Sequence, residues 1–203
     1  MHTRKLSVTG AYVFEPTEYT DDRGSFVTPF QYSEFVRTVG HPPFRLAQSS
    51  YSVSRRDVIR GLHFTRTPPG VAKYVYSPRG KALDIVFDLR IGSPTFGRWD
   101  SIILGGDSCR TVYFPVGVGH MFVALTDDTV MTYLLSEEYV PDNELAISPL
   151  DPALALPIPD DIDPIVSARD RQAPTLAEAR SAGLLPDYRT SLDIEADLAA
   201  TNR

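Results

Sequence analysis

The sequence has almost no cysteine, no excess of positive charge and no long hydrophobic run. Cys109 is the only cysteine in 203 residues, which excludes an internal disulfide and a zinc site built on cysteines. The formal net charge of −6 argues against a nucleic-acid partner, because such proteins neutralise phosphates with a basic surface. No apolar stretch is long enough for a signal peptide or a membrane span, so we expect a cytoplasmic protein with no membrane partner.

The composition is that of an ordinary globular protein. Hydrophobic residues make up 42% and charged residues 23%, values that exclude a largely disordered or fibrous chain. The length suits one domain over residues 1–203. We expect a barrel at about 8–140 and a wrapping C-terminal segment at about 141–203.

Short runs rich in Val, Ile, Phe and Tyr fill the first two thirds of the chain and alternate with Gly, Pro, Asp and Ser. Residues 83–90 alternate most clearly, with an apolar face and a more polar face that carries Asp84 and Asp88. So many closely spaced strands predict an all-β jelly-roll or sandwich barrel, whose mouth can hold a ligand. The other predicted strands cover residues 44–53, 58–64, 71–77, 101–104, 111–114, 121–125 and 130–135.

The character of the sequence changes after Pro141. Residues 149–164 are too rich in Pro and Asp to continue a sheet, and we expect them to wrap the barrel as irregular chain. Thr175 and Glu178 form a capping-box pattern that predicts a short helix ending near Gly183. A second short helix is predicted at 191–200, so the barrel should carry short peripheral C-terminal helices.

Arg60 and His63 flank a glycine on a predicted strand. Strict alternation places them on opposite faces, so both can enter one pocket only if the chain bulges near Gly61, where glycine makes such a departure easy. Taken alone, a histidine is more often a structural residue than a catalytic base. The role of His63 therefore depends on its neighbours.

Four further candidates each have a structural alternative. Lys73 lies on a predicted strand, where it fits an edge-strand lysine that discourages aggregation. His120 follows two glycines and fits a turn histidine bonded to backbone. Tyr133 fits a core aromatic, and Asp170 fits a solvated loop charge. The residues by themselves leave these alternatives open.

Metal and nucleotide motifs are missing from the sequence. His63 lacks the second histidine of an H-x-H pair, and His120 with Glu144 supplies only two ligands. Neither G-x-G-x-x-G nor the Walker pattern occurs. We therefore predict no metal and no cofactor.

Several short motifs occur in an order and at a spacing that resemble one enzyme family. They are DRGSF at 22–26, QSSYS at 48–52, RGLH at 60–63, GSPTFG at 92–97, GVGHMF at 117–122 and SARD at 167–170, together with Lys73 and Tyr133. The set resembles the dTDP-4-dehydrorhamnose 3,5-epimerases, and within them the C5-epimerases of antibiotic deoxysugar (vancosamine-type) biosynthesis. The resemblance implies a cupin-like barrel that epimerises a dTDP-4-keto-6-deoxyhexose without a cofactor.

The resemblance also implies roles for matching residues. His63 is then the general base, Asp170 its orienting carboxylate, and Tyr133 the acid on the opposite face. Lys73, aided by His120, would stabilise the negative C4 oxygen of the enolate. The residues implied to hold the substrate are Arg23, Gln48, Arg60, His120, Tyr139 and Arg171.

Three positions depart from the usual pattern of the family. Thr28, Ser50 and Thr65 stand where the family usually has Glu, Asn and Gln. These changes in pocket polarity suggest a subgroup from antibiotic deoxysugar pathways. The resemblance to the C5-epimerases, carried by residues 73–76 and 184–188, implies inversion of C5, with C3 inversion also open, and the family resemblance further implies a homodimer. Two other functions stay open: a dTDP-4-keto-6-deoxyglucose 3,4-ketoisomerase and a non-catalytic sugar-binding cupin.

Overall fold

Two antiparallel sheets form the body of the chain, of which the computed structural model describes residues 1–201. The strands are β1 (His2–Lys5), β2 (Tyr12–Glu15), β3 (Glu18–Asp21), β4 (Gly24–Val27), β5 (Gln48–Ser54), β6 (Val58–Thr65), β7 (Lys73–Arg79), β8 (Lys81–Asp88), β9 (Trp99–Gly105), β10 (Thr111–Phe114), β11 (Val118–Ala124), β12 (Thr129–Leu135), β13 (Glu144–Ala146) and β14 (Ile165–Val166). The helices are α1 (Tyr32–Val39), α2 (Ala168–Arg171), α3 (Leu176–Ser181) and α4 (Tyr188–Ala200), with 3-10 turns at Pro141–Asn143 and Pro152–Leu154.

The strand order confirms the expected all-β, cupin-like jelly-roll fold. The first sheet has the order β1-β2-β10-β7-β12-β5, and the second has the order β13-β6-β11-β8-β9 with β14 beside β6. All pairs are antiparallel except β14 with β6. Strands β3 and β4 form a separate hairpin.

Three apolar layers hold these elements together. The inner layer lies between the sheets and contains Val75 and Val112 of the first and Val86 and Phe122 of the second. A second layer packs the outer face of the second sheet against the C-terminal segment, including α3. A third packs the outer face of the first sheet against α1 and α4. Most of both faces of each sheet is therefore covered, except for the outward face of edge strand β5.

The face of β8 that carries Asp84 and Asp88 points into the barrel and not towards solvent. Asp84 and Asp88 are both fully buried, and Val86 between them belongs to the inner layer. Buried carboxylates need hydrogen-bonding partners. The structure provides them: Arg90 binds Asp88 with two nitrogens at 2.9 Å, and His120 binds Asp84.

Some predicted boundaries were wrong. The strand expected from residue 44 begins at Gln48, because Phe44 follows two prolines and packs against the outer layer beside α1 instead of alternating. Strands β1 and β2, helix α1 and the β3–β4 hairpin were not predicted. The strand expected from residue 71 begins at Lys73, since the Ala72 amide is bonded to the Ser136 hydroxyl at 2.9 Å.

The C-terminal segment follows its prediction in most respects. Residues 149–164 contain only one 3-10 turn, and the capping box of Thr175 and Glu178 is present at the start of α3. Helix α4 begins three residues before its predicted start because Asp187 caps it. The short strands β13 and β14, which extend the second sheet, were not predicted. No helix within residues 1–201 has the length and apolar character to cross a membrane.

Glu195 fixes α4 to the barrel. Its carboxylate accepts hydrogen bonds from the Tyr113 hydroxyl and from the Val116 amide, the latter at 2.8 Å, and His41 Nε2 lies 3.9 Å away. Burial raises the pKa of Glu195 to about 7, against 4.5 for an ordinary glutamate. The docking of α4 is therefore linked to pH.

We expect Glu195→Gln to flatten the pH dependence of stability. Because the folded-state pKa lies above the unfolded value, the group favours the folded state at low pH, and this contribution is lost as the pH rises through 7. From about pH 5 to pH 8 the wild type should lose about 1–3 kcal/mol more unfolding free energy than Glu195→Gln, measured by urea denaturation. Parallel pH profiles of the two proteins would contradict this.

Candidate active site

Polar side chains line the space between the sheets along the edge strand β5. Residues 48, 50, 52 and 54 share the inward face of β5. The Ser52 hydroxyl lies 3.5 Å from that of Tyr133 on β12, and Ser54 accepts a 3.1 Å hydrogen bond from Arg60 of the opposite sheet. We call this space the barrel mouth. The titratable side chains that contact or electrostatically influence one another there are Arg60, His63, Lys73, Asp84, His120, Tyr133 and Glu144, and Thr65 lies among them.

A bulge at Gly61 brings Arg60 and His63 into the mouth together. Strand β11 pairs His120 with His63 but Phe122 with Arg60, so two steps along β11 face three along β6. Gly61 has a φ of +125°, and a Cβ there would lie 2.6 Å from the His120 carbonyl oxygen. Only glycine fits this approach, and the expected bulge is confirmed.

His63 and Asp170 form a close hydrogen-bonded pair. His63 Nε2 lies 2.6 Å from Asp170 Oδ1, and Asp170 is only 3% exposed, so the alternative of a solvated loop charge is wrong. Burial opposes ionisation of Asp170, but hydrogen bonds from His63 and from the Gly61 amide outweigh it and lower the pKa of the carboxyl. The ionised carboxylate fixes one ring nitrogen, and Nδ1 has no hydrogen-bond partner within residues 1–201.

Lys73 is a buried cation. It opens β7, which lies between β10 and β12, so the edge-strand alternative is wrong. The residue is 8% exposed, and no hydrogen bond reaches its ammonium within the described part of the chain. Burial lowers the pKa of Lys73, and the Glu144 carboxylate opposes this effect. A buried ammonium without a hydrogen-bond partner is available to bind an anionic oxygen.

His120 forms a second histidine–carboxylate pair. Its Nε2 lies 2.5 Å from Asp84 Oδ1, so the alternative of a turn histidine bonded to backbone is wrong. The ring centroid lies 4.4 Å from that of Phe114 and 5.8 Å from that of Tyr133. Asp84 Oδ2 is buried with no partner among the described residues. The sequence analysis did not identify Asp84 as a site residue. The signal that could have identified it is a carboxylate on a strand with clear apolar alternation.

Tyr133 approaches the mouth from the sheet opposite to His63. It lies on β12 of the first sheet, whereas His63 lies on β6 of the second. Burial raises the pKa of its phenol to about 12, so the hydroxyl stays protonated at neutral pH. A base on one sheet and a protonated phenol on the other suit removal of a proton from one face of a carbon and its return to the other.

The expected substrate-binding residues are only partly brought together. Arg60 enters the mouth, and Gln48 accepts a 2.8 Å hydrogen bond from the Tyr139 amide at its rim. Arg23 lies on the exposed β3–β4 hairpin, with its side chain 90% exposed and paired to a carboxylate two residues away. Arg171 is bonded to a backbone carbonyl of β14 at 3.5 Å. The hydrogen bonds and ion pairs of Arg23 and Arg171 involve no residue of the mouth.

The two metal-ligand candidates belong to separate pairs. His120 is bonded to Asp84, and Glu144 accepts a 2.8 Å hydrogen bond from Thr65. Within residues 1–201, no three His, Cys, Asp or Glu side chains converge on one point as a metal ion requires. The absence of a metal and of a cofactor stays a prediction.

Comparison with known proteins gives a consistent set of similarities. The sequence model of the dTDP-4-dehydrorhamnose 3,5-epimerase family matches residues 5–178. The chain is 46% identical to a dTDP-4-dehydro-6-deoxyglucose 3-epimerase of Streptomyces bikiniensis over 184 residues, which cover 91% of this chain and 93% of that protein. It is 46% identical to a dTDP-4-dehydrorhamnose 3,5-epimerase of Streptomyces griseus over 189 residues, which cover 93% of this chain and 94% of that protein.

A solved structure extends the similarity to the fold. The crystal structure of ChmJ, a 3'-monoepimerase from Streptomyces bikiniensis, in complex with dTDP is 42% identical in sequence, with a TM-score of 0.92. The match covers 99% of this chain and 100% of that chain. That structure is of a double mutant in which a histidine is changed to asparagine and a tyrosine 70 positions later to phenylalanine.

We expect Gly61→Ala to destabilise the fold more than a matched glycine variant. The added Cβ would meet the His120 carbonyl oxygen and Met121 Cα at 2.6 Å, so β6 and β11 would have to separate. Gly24 has a similar φ of +123° with nothing within 4 Å of an added Cβ, so Gly24→Ala isolates the backbone cost. Chemical denaturation should show Gly61→Ala less stable by about 1–3 kcal/mol beyond that control, and equal stabilities would contradict the bulge.

Proposed function

Because the chain belongs to the dTDP-4-dehydrorhamnose 3,5-epimerase family, and is thereby an isomerase of dTDP-linked sugars, we propose that it inverts C3 of a dTDP-4-keto-6-deoxyhexose. The reaction removes the proton beside the C4 ketone and returns one to the opposite face. The 2.6 Å pair of His63 and Asp170 carries the proposal, because it supplies an oriented base in the mouth. No electrons leave the sugar in this scheme, so its chemistry requires no redox cofactor.

His63 acts as the base through Nδ1. Asp170 holds Nε2, which fixes the tautomer and the orientation of the ring. When the imidazole takes the proton, the ionised carboxylate stabilises the imidazolium that forms. The carboxylate therefore favours the step in which the carbon loses its proton.

Lys73 stabilises the charge that this step creates. Loss of the proton places negative charge on the C4 oxygen, and a well-placed donor in a site with little water contributes about 3–4 kcal/mol to the transition state. Lys73 and His120 are 8% and 5% exposed, so few water molecules compete with them for this oxygen. Asp84 holds His120 Nε2 and so fixes the orientation of the His120 ring beside Lys73 in the mouth.

Tyr133 returns the proton from the opposite sheet. Its raised pKa keeps the phenol protonated until the enolate takes the proton. The variant residues of the ChmJ crystal structure support the assignment, because its changed histidine and tyrosine are 70 positions apart and so are His63 and Tyr133. The spacing agrees with a functional pair made of these two residue types.

The names of the relatives favour C3. One relative is a 3-epimerase, one a 3,5-epimerase, and ChmJ is a 3'-monoepimerase, so C3 is common to all three. The preference for C5 suggested by the sequence stays a prediction. Both carbons flank the same ketone, so the same catalytic groups serve either one.

Deuterium uptake from heavy water tests the reaction. With dTDP-4-keto-6-deoxyglucose, the wild type should place deuterium at C3, and His63→Asn should slow this exchange about 10²- to 10⁴-fold because the base is lost. Tyr133→Phe should still exchange the C3 proton but should form little inverted product. Calorimetry with dTDP is the control, since both variants should bind it as the wild type does.

The same experiment distinguishes the alternatives. Exchange at C5 alone would support the C5 prediction, and a carbonyl moved to C3 would identify a 3,4-ketoisomerase. Binding without exchange would identify a sugar-binding protein. Normal exchange in His63→Asn would remove His63 as the base.

We also propose a homodimer. Its interface would bury the exposed apolar side chains on β5, at the edge of the first sheet, and on the β3–β4 hairpin. Tyr51 and Val53 on edge strand β5 are 74% and 53% exposed, and Tyr19 and Phe26 on the hairpin are 66% and 69% exposed. An open edge with apolar side chains is suited to pairing with a second chain. The resemblance to the family supports the same assembly.

Sedimentation equilibrium tests the homodimer. The wild type should have twice the mass of the chain, and Phe26→Asp should shift it towards the monomer, because a charge would be buried in the interface. Leu192→Asp is the control, since Leu192 on α4 is also exposed, at 42%, but lines a cavity with Thr9 and Val39 rather than with β5 or the hairpin. A wild type that sediments as a monomer would refute the proposal.

A further inference from the structure

The side chain of Arg60 connects the two sheets. The residue lies on β6 of the second sheet, and its Nε donates a 3.1 Å hydrogen bond to the hydroxyl of Ser54, the last residue of β5 in the first sheet. Its Nη2 also donates to the Val53 backbone carbonyl, at 3.4 Å. Two donors of the guanidinium are therefore engaged by β5 in the absence of any ligand.

Ser54 offers this guanidinium a fixed acceptor. The residue is only 3% exposed, and it pairs with Thr129 of β12, so its hydroxyl has little space in which to move. A free arginine side chain occupies many rotamers, and it loses this freedom when a ligand immobilises it. The hydrogen bond to Ser54 removes part of that freedom before a ligand binds.

Both acceptors of Arg60 are neutral, so they do not compensate its positive charge. Arg23 and Arg90 are each paired with an aspartate, whereas Arg60 forms no ion pair within residues 1–201. Its Nη1 has no hydrogen bond to any of these residues, and Arg60 is exposed. A guanidinium that is held on one side and open on the other can bind an anion through its remaining N–H groups.

We propose that Ser54 is a positioning residue for Arg60, and that it holds the guanidinium in the orientation that binds the diphosphate of the substrate. This inference rests on the dTDP-linked substrate of the proposed function and on the expected role of Arg60 in binding it. Ser54 acts only through Arg60. It reduces the side-chain freedom that Arg60 loses on binding, and such preorganisation increases affinity.

A double-mutant cycle separates this role from a merely structural one. In calorimetry with dTDP alone, Ser54→Ala should weaken binding about 3- to 10-fold, because Arg60 is then no longer restrained. Arg60→Met keeps most of the apolar stem but removes the guanidinium, and it should weaken binding by itself. In the Arg60→Met background, Ser54→Ala should have no further effect, because no guanidinium is left to position.

Two further variants locate the effect. Ser54→Cys nearly keeps the size of the side chain but offers a weaker acceptor, so its affinity for dTDP should lie between those of the wild type and Ser54→Ala. It also preserves the test if the alanine variant does not fold. Ser52→Ala is the matched control, because Ser52 shares the inward face of β5 but approaches Tyr133 instead of Arg60. This variant should bind dTDP as the wild type does.

Wild-type affinity for dTDP in Ser54→Ala or in Arg60→Met would overturn the proposal, and so would an equal effect of Ser54→Ala in the Arg60→Met background. Binding of dTDP requires no turnover, so these results are independent of whether the chain is an epimerase. In deuterium exchange with dTDP-4-keto-6-deoxyglucose, Ser54→Ala should raise KM and leave kcat unchanged. A lower kcat with an unchanged KM would place Ser54 in the chemical step and would also overturn the proposal.

Discussion

The close approach of β6 to β11 at Gly61 is the constraint on which the geometry of the mouth depends. Without the bulge, strict alternation would turn either Arg60 or His63 away from the mouth. The same approach brings the Gly61 amide within 3.5 Å of Asp170 Oδ2, so the bulge also helps to hold the carboxylate that orients His63. Gly61, which has no side chain, thus determines the direction in which the His63 side chain points.

Burial gives the groups of the mouth their different roles. A carboxylate in this space requires a partner, and Asp170 and Asp84 each obtain one from a histidine, which also fixes the ring. Lys73 receives no hydrogen bond within residues 1–201, and a buried charge without a partner reduces stability. An oxyanion formed from the substrate would remove this cost. The site therefore lacks a hydrogen-bond partner at the point where the proposed reaction develops negative charge. This is expected where stability is lost in favour of catalysis.

Local patterns made much of the fold predictable. Alternation identified most strands of the barrel, and the capping box identified α3, because both depend on residues close in the chain. Helix α1 was missed because its apolar face is completed by Phe14 and Tyr74, which belong to strands of the first sheet. Strands β13 and β14 were missed because each has only two or three residues and exists through pairing with β6.

The site was predictable only where residue type and motif were sufficient. Asp84 looked like one polar position in an alternating strand, and only the inward direction of that face makes it the partner of His120. The position of Arg23 could not be predicted from the sequence, for a different reason. Its hairpin contacts neither sheet as a paired strand, so its proposed role in binding requires a contact that a single chain does not supply.

The choice between C3 and C5 is a question of shape rather than of catalytic groups. One oxyanion at C4 serves the loss of a proton from either neighbouring carbon, so Lys73 and His120 cannot distinguish them. His63 and Tyr133 approach from opposite sheets, and in the proposed reaction inversion occurs at whichever carbon the sugar places between them. The orientation of the ring must then be set by the walls beside these two residues. On the side of Tyr133 this wall is strand β5. Its inward side chains Ser50 and Ser52 are small, which leaves room for the sugar to turn. The outer edge of β5 is free to pair with a second chain.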